Sequence, residues 1–179
     1  LYQLLMRAEA PFKAAKVMDY GIKNDFVKDD EKHLKMLAQG WHMAQELEIA
    51  EPIYEKAAKK SEEGELYVFL GQIYLATDRY DLAKDTLKLG LKKGKLKDPV
   101  TVNILLGQVS YEQQEFEDAT KFFRTALDRL TDLKIKDKKL LEKRQDKLRA
   151  QALTWLTYTE KEAKRVKTLE LRRKELEES

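Results

Sequence analysis

A seven-position pattern occurs three times at fixed internal offsets, and it limits the possible folds more than any other feature of the chain. The copies read Leu34, Leu37, Ala38, Trp41, Ala50, Tyr54, Ala57; then Tyr67, Leu70, Gly71, Tyr74, Ala83, Leu87, Gly90; then Asn103, Leu106, Gly107, Ser110, Ala119, Phe123, Ala126. They are displaced by 33 residues (38 to 71) and then by 36 (71 to 107). Spacings of three, four and seven place these residues on one stripe of each of two consecutive helices. A unit this short cannot bury both stripes alone, so successive units must stack on one another. The small residues Ala38, Gly71 and Gly107 let the two helices of a unit approach closely, as do Ala50, Ala83, Ala119 and Ala57, Gly90, Ala126 on the second helix. Tyr54, Leu87 and Phe123 fill the space between units. In the third copy Asn103 and Ser110 replace large residues beside large Ile104 and Tyr111, which leaves the rotation of that helix the least determined.

A period near 34 residues built from two helical runs resembles the tetratricopeptide repeat (TPR). The resemblance covers roughly residues 1–130. It implies an all-α, right-handed superhelical solenoid of half a repeat, three repeats and a long C-terminal capping helix. The expected organisation is a repeat array over 1–133, with a partial repeat at 1–30 and repeats at about 31–63, 64–99 and 100–133, followed by a capping helix with a charged tail over 134–179. Seven Gly and three Pro in 179 residues leave few turn signals for a β-rich alternative.

Helices are expected near 31–44, 47–60, 64–77, 79–93, 99–113 and 116–132. Ahead of them, Pro11–Lys23 reads as the second helix of the partial repeat, with Ala14, Met18 and Gly21 in the small–large–small positions. The chain therefore reads as a fragment that begins inside a repeat. Asp29 or Asp30 supplies an N-cap for the next helix. Pro52 falls inside a helix, where proline removes a hydrogen bond. The string AEPIYEKA around it is similar to TPR sequences of the kinesin-light-chain type, which implies a mild bend. Residues 137–178 hold no Gly or Pro and read as one helix with an apolar stripe at Leu141, Leu148, Ala152, Trp155, Thr159, Ala163 and Val166.

The TPR resemblance also implies a concave groove lined by the first helix of each repeat. Its ligand-facing positions fall on Lys32, Lys35, Gln39 and His42, then Glu65, Val68, Gln72 and Leu75, then Thr101, Ile104, Gln108 and Tyr111. The expected partner-binding set is Lys35, Gln39, His42, Val68, Gln72, Leu75, Ile104, Gln108 and Tyr111. The recurring amides Gln39, Gln72 and Gln108 each donate and accept, as pairing with an extended main chain requires. Val68, Leu75, Ile104 and Tyr111 would supply apolar burial. The carboxylate clamp of chaperone adaptors is absent: Lys35 fits it, Gln39 fits roughly, and Phe69, Thr101 and Leu105 do not.

No enzyme chemistry, cofactor or metal is expected. The chain has no cysteine, and its two histidines, His33 and His42, miss the helical i, i+4 ligand spacing. The glycine-containing string at 89–95 has no phosphate-loop spacing. Charged residues make up 37% of the chain yet cancel to a net +3, and the basic runs Lys92–Lys97 and Lys134–Lys143 are mixed with or flanked by carboxylates without stacking aromatics. Nucleic-acid binding and membrane insertion are therefore not expected.

The C-terminal string ALTWLTYTEKEAKRVKTLELRRKE resembles the end of bacterial TPR proteins encoded beside TonB, ExbB and ExbD. That resemblance implies a periplasmic or envelope location in preference to the cytoplasm, and a TonB-complex component as partner. The reading is a non-enzymatic scaffold that binds a peptide or helix. Two alternatives stand beside it: a self-assembly module using the C-terminal helix or an open repeat end, and a regulatory segment of a larger enzyme.

Overall fold

The computed structural model describes residues 1–178, and among them every regular element is helical. The elements are α1 (Tyr2–Arg7), α2 (Pro11–Lys23), α3 (Glu31–Met43), α4 (Leu47–Lys60), α5 (Glu65–Ala76), α6 (Tyr80–Lys93), α7 (Pro99–Glu112), α8 (Phe116–Asp128), a 3₁₀ turn (Arg129–Asp132) and α9 (Lys138–Glu177). Helices therefore stand within a residue or two of the expected positions up to α8, whose last expected turn tightens into the 3₁₀ segment.

The start of the chain departs from expectation. A six-residue helix, α1, precedes α2 and packs on it. Tyr2 on α1 donates its hydroxyl to the carbonyl of Met36 on α3.

The turn inside each repeat is one motif used four times. Glu9, Gln45, Asp78 and Gln114 have φ of 52°, 62°, 56° and 60°. The following N–H returns to the carbonyl five residues back: Ala10 to Leu5 at 2.9 Å, Glu46 to Trp41 at 3.0 Å, Arg79 to Tyr74 at 2.8 Å, and Glu115 to Ser110 at 2.8 Å. This is the Schellman closure, which satisfies otherwise orphaned C-terminal carbonyls. Three helix starts carry side-chain caps: Asp30, Asp98 and Asp137 accept from the backbone N–H groups of His33, Thr101 and Leu140. α4 continues through Pro52, which is exposed, so water can serve the carbonyl that proline leaves unpaired.

Residues 1–96 and 97–178 form two compact units. In the first, α2 packs on α3, α3 on α4, α4 on α5 and α5 on α6. A Cβ added at Gly71 would stand 2.6 Å from Leu87 Cγ, and one at Gly40 would stand 3.0 Å from Ala15 Cβ, so glycine sets both approaches. A bidentate ion pair from Arg79 to Glu51 ties α6's start to α4, and Tyr74 donates to Glu55 at 2.9 Å while lying beneath the Arg79 guanidinium.

In the second unit α7, α8 and α9 enclose a core of Val100, Ile104, Phe123, Leu130 and Leu148 with smaller neighbours. Asn103 and Ser110 are buried, so α7 keeps the rotation seen in the other copies. Asn103 satisfies itself by donating to the Pro99 carbonyl of its own helix at 2.8 Å. The stripe of α9 lies on this core: Leu148, Ala152 and Thr159 are buried, and Trp155 meets Tyr111 and Phe123 with ring centroids 5.5 and 6.1 Å apart. Arg144 of α9 reaches Asp98, the cap of α7, at 2.6 Å.

Candidate functional site

In the first unit α3 carries Lys35, Gln39 and His42, and α5 carries Gln72 and Leu75, all half-buried. Their spacing follows from helix geometry: positions 35, 39 and 42 share one face of α3, and 72 and 75 share one face of α5. These five can each offer a polar tip or an apolar edge while their stems remain packed.

His42 is half-buried against an aromatic neighbour. Its ring stands edge-on to Tyr54 at 5.9 Å and 90°, and Tyr54 stacks on Phe69 at 5.6 Å and 21°. Burial lowers the His42 pKa from its usual value, so the imidazole is neutral near pH 7 and both donates and accepts. Burial also raises the Tyr54 phenol well above its ordinary range, with a further contribution from Tyr2. α3 thus presents one ammonium group, an amide and a neutral imidazole, and α5 presents a second amide beside Leu75. Such a set suits hydrogen bonding to a main chain.

Val68 does not belong to an accessible surface. It is 8% exposed, and its Cγ2 stands where a Cβ on Gly90 would meet it at 3.4 Å.

The second unit differs more. Ile104, at 1% exposure, is a core residue packed with Val100 and Phe123, so it offers no apolar surface to a partner. Tyr111 is already engaged, by Phe116 at 5.8 Å and by Trp155 of α9. Of the three residues expected there, Gln108 alone is left half-buried without a core role. The physical reason is that α9 lays its own Trp155 where an outside ligand would have met Tyr111.

Sequence reasoning gave Tyr54 a packing role between units and passed over the Tyr2 and Phe69 contributions near His42. Tyr2 lies on a helix too short to show a period. Among the described residues no group of His, Asp or Glu is placed to hold a metal ion. No helix of the described chain is long and apolar enough to cross a membrane.

Residues 64–92, the second expected repeat, match the family described as Tetratricopeptide repeat. No curated protein sequence is significantly similar to the chain. Solved structures are similar along nearly its whole length. A crystal structure of MamA shares 16% identity, with 93% of this chain and 97% of that chain covered and a TM-score of 0.64. MamA 41-end from Desulfovibrio magneticus RS-1 shares 17% identity over 92% of each chain, with a TM-score of 0.62. The kinesin light chain TPR-like repeats of Podosopora anserina share 12% identity, with 96% and 90% covered and a TM-score of 0.66. Identities this low speak to the fold alone. Residues 64–92 thus match the tetratricopeptide repeat, and the chain carries the fold of tetratricopeptide-repeat proteins.

Proposed function

We propose that the chain is a non-enzymatic protein-binding scaffold that takes a peptide or helix of a partner on the first-helix face of residues 1–96. The repeat fold supports protein binding as the general role. The observation that carries the finer reading is the pair Gln39 and Gln72, half-buried at the same repeat offset on α3 and α5. In this reading the two amides pair with the partner's main chain, Lys35 and neutral His42 fix its direction, and Leu75 covers an apolar side chain. Val68, Ile104 and Tyr111 take no part, because the protein's own packing uses them.

The C-terminal string that resembles TPR proteins encoded beside TonB systems supports a TonB-complex component as that partner, in the bacterial envelope. The test is capture by crosslinking in the native cells, with the variant Gln72→Ala/Leu75→Glu as control. A partner captured by the wild type and lost by the variant, with helicity unchanged, supports the reading, and TonB-complex subunits among the captured proteins support its finer form. Equal capture by both chains would exclude this face.

A further inference from the structure

A second surface lies apart from the first-helix face, within residues 97–178. The α7–α8 turn and the later half of α9 bound an open cleft of about 710 Å³. Half-buried Phe116, Ala163 and Val166 give it apolar walls, and Glu115, Glu117, Asp118 and Glu170 outnumber Lys167 in its lining, with Asp118 also paired to Lys121 at 3.0 Å. This is a local reversal in a chain of net charge +3. The same unit carries the opposite surface at the other end of α9. There Leu140 is 56% exposed among Lys138, Lys139 and Lys143, in a run from Lys134 whose five lysines outnumber Asp137 and Glu142. One corner is apolar and net cationic, the other apolar and net anionic.

The two cannot meet within one molecule. Leu140 and Val166 lie on one continuous helix, and 26 residues at the α-helical rise separate them by about 39 Å. We infer that the cleft formed by Phe116, Val166 and Glu170 receives the Leu140 corner of a second copy of this chain, with Lys139 and Lys143 facing Glu117 and Glu170. Such a contact joins different surfaces on the two molecules, so it continues head to tail and closes only if the rotation between copies makes a ring. Charged rims around a small apolar contact give an association that weakens as salt rises. The contact uses no residue of the proposed partner-binding face, so the two readings stand or fall separately.

The test is sedimentation velocity of the full chain over a concentration series at low and high salt, with two charge-reversed variants. One is Glu117→Lys/Glu170→Lys, which reverses the cleft; the other is Lys139→Glu/Lys143→Glu, which reverses the corner. The expected result is concentration-dependent association of the wild type that weakens by about tenfold or more in either variant alone. Mixing the two variants restores association, because each then meets its complement. Glu170→Lys alone serves as a check on folding, since that side chain is exposed on the late part of α9, and it is expected to weaken association in the same sense. A wild type that stays monomeric at every concentration, or variants that associate as well as wild type, would overturn the inference. So would a mixture that fails to recover.

Discussion

Glu9, Gln45, Asp78 and Gln114 hold a backbone conformation that costs an L-residue roughly 1–2 kcal/mol and costs glycine almost nothing. None of the four helix ends uses glycine at that position, so each turn carries a small strain that its hydrogen bonds offset. Replacing Gln45 or Gln114 by glycine should raise stability by about 0.5–1 kcal/mol each, net of the extra freedom glycine has in the unfolded chain, as read from urea midpoints. Gly107 presents the opposite case. A Cβ there would collide with the ring of Phe123, which is fully buried and cannot swing aside. Gly107→Ala should therefore destabilise by about 1–3 kcal/mol in the same assay. Tyr74 makes a pH prediction. Burial first, then its bond to Glu55, raises its phenol from 10.0 to about 12. The folded state thus keeps a proton that the unfolded state loses. The resulting stability is complete below pH 10 and falls as pH rises from there towards 12. Tyr74→Phe should flatten that part of the pH–stability curve relative to the wild type, and an unchanged slope would contradict the assignment.

At the scale of the element, α9 is the helix whose role is most exposed to experiment. Trp155 meets two aromatic rings from α7 and α8, and its truncation to alanine should cost about 3–5 kcal/mol by chemical denaturation. A loss well below that range would mean that α9 rests on the unit without holding it together. Deletion of 171–179, whose described residues are exposed, should leave the unfolding midpoint unchanged. Helices α2 to α8 were legible in the sequence because each buries a stripe at a period of 3.6 residues, and because the repeat supplies several readings of one stripe. α1 was not legible, since six residues hold fewer than two turns and show no period. The candidate site was legible only in part. Position in the repeat identifies which residues of α3, α5 and α7 share a face, but it cannot reveal what else occupies that face. Tyr111 has the same place in its repeat as Leu75, yet a tryptophan more than forty residues onward engages it. Val68 and Ile104 fail for a related reason: they stand at the edge of the stripe, where a small rotation turns surface into core.

The whole chain divides its contacts between residues 1–96 and 97–178. Repeat proteins gain stability from each unit and its neighbours in sequence, without a single central core. Hydrogen exchange on the Trp155→Ala variant should accordingly show its largest loss of protection within 97–178, and on Gly71→Leu within 1–96. Uniform loss across the chain in either case would show one cooperative unit instead. The seat of Trp155 bears on how such a chain can change in evolution. α9 recognises its repeat through Tyr111 and Phe123, two aromatic rings supplied by α7 and α8, and through the cap residue Asp98. Duplication or loss of a repeat upstream would leave those three residues untouched. Array length is thus free to drift by recombination within a gene while the ending travels intact, as one transferable stop.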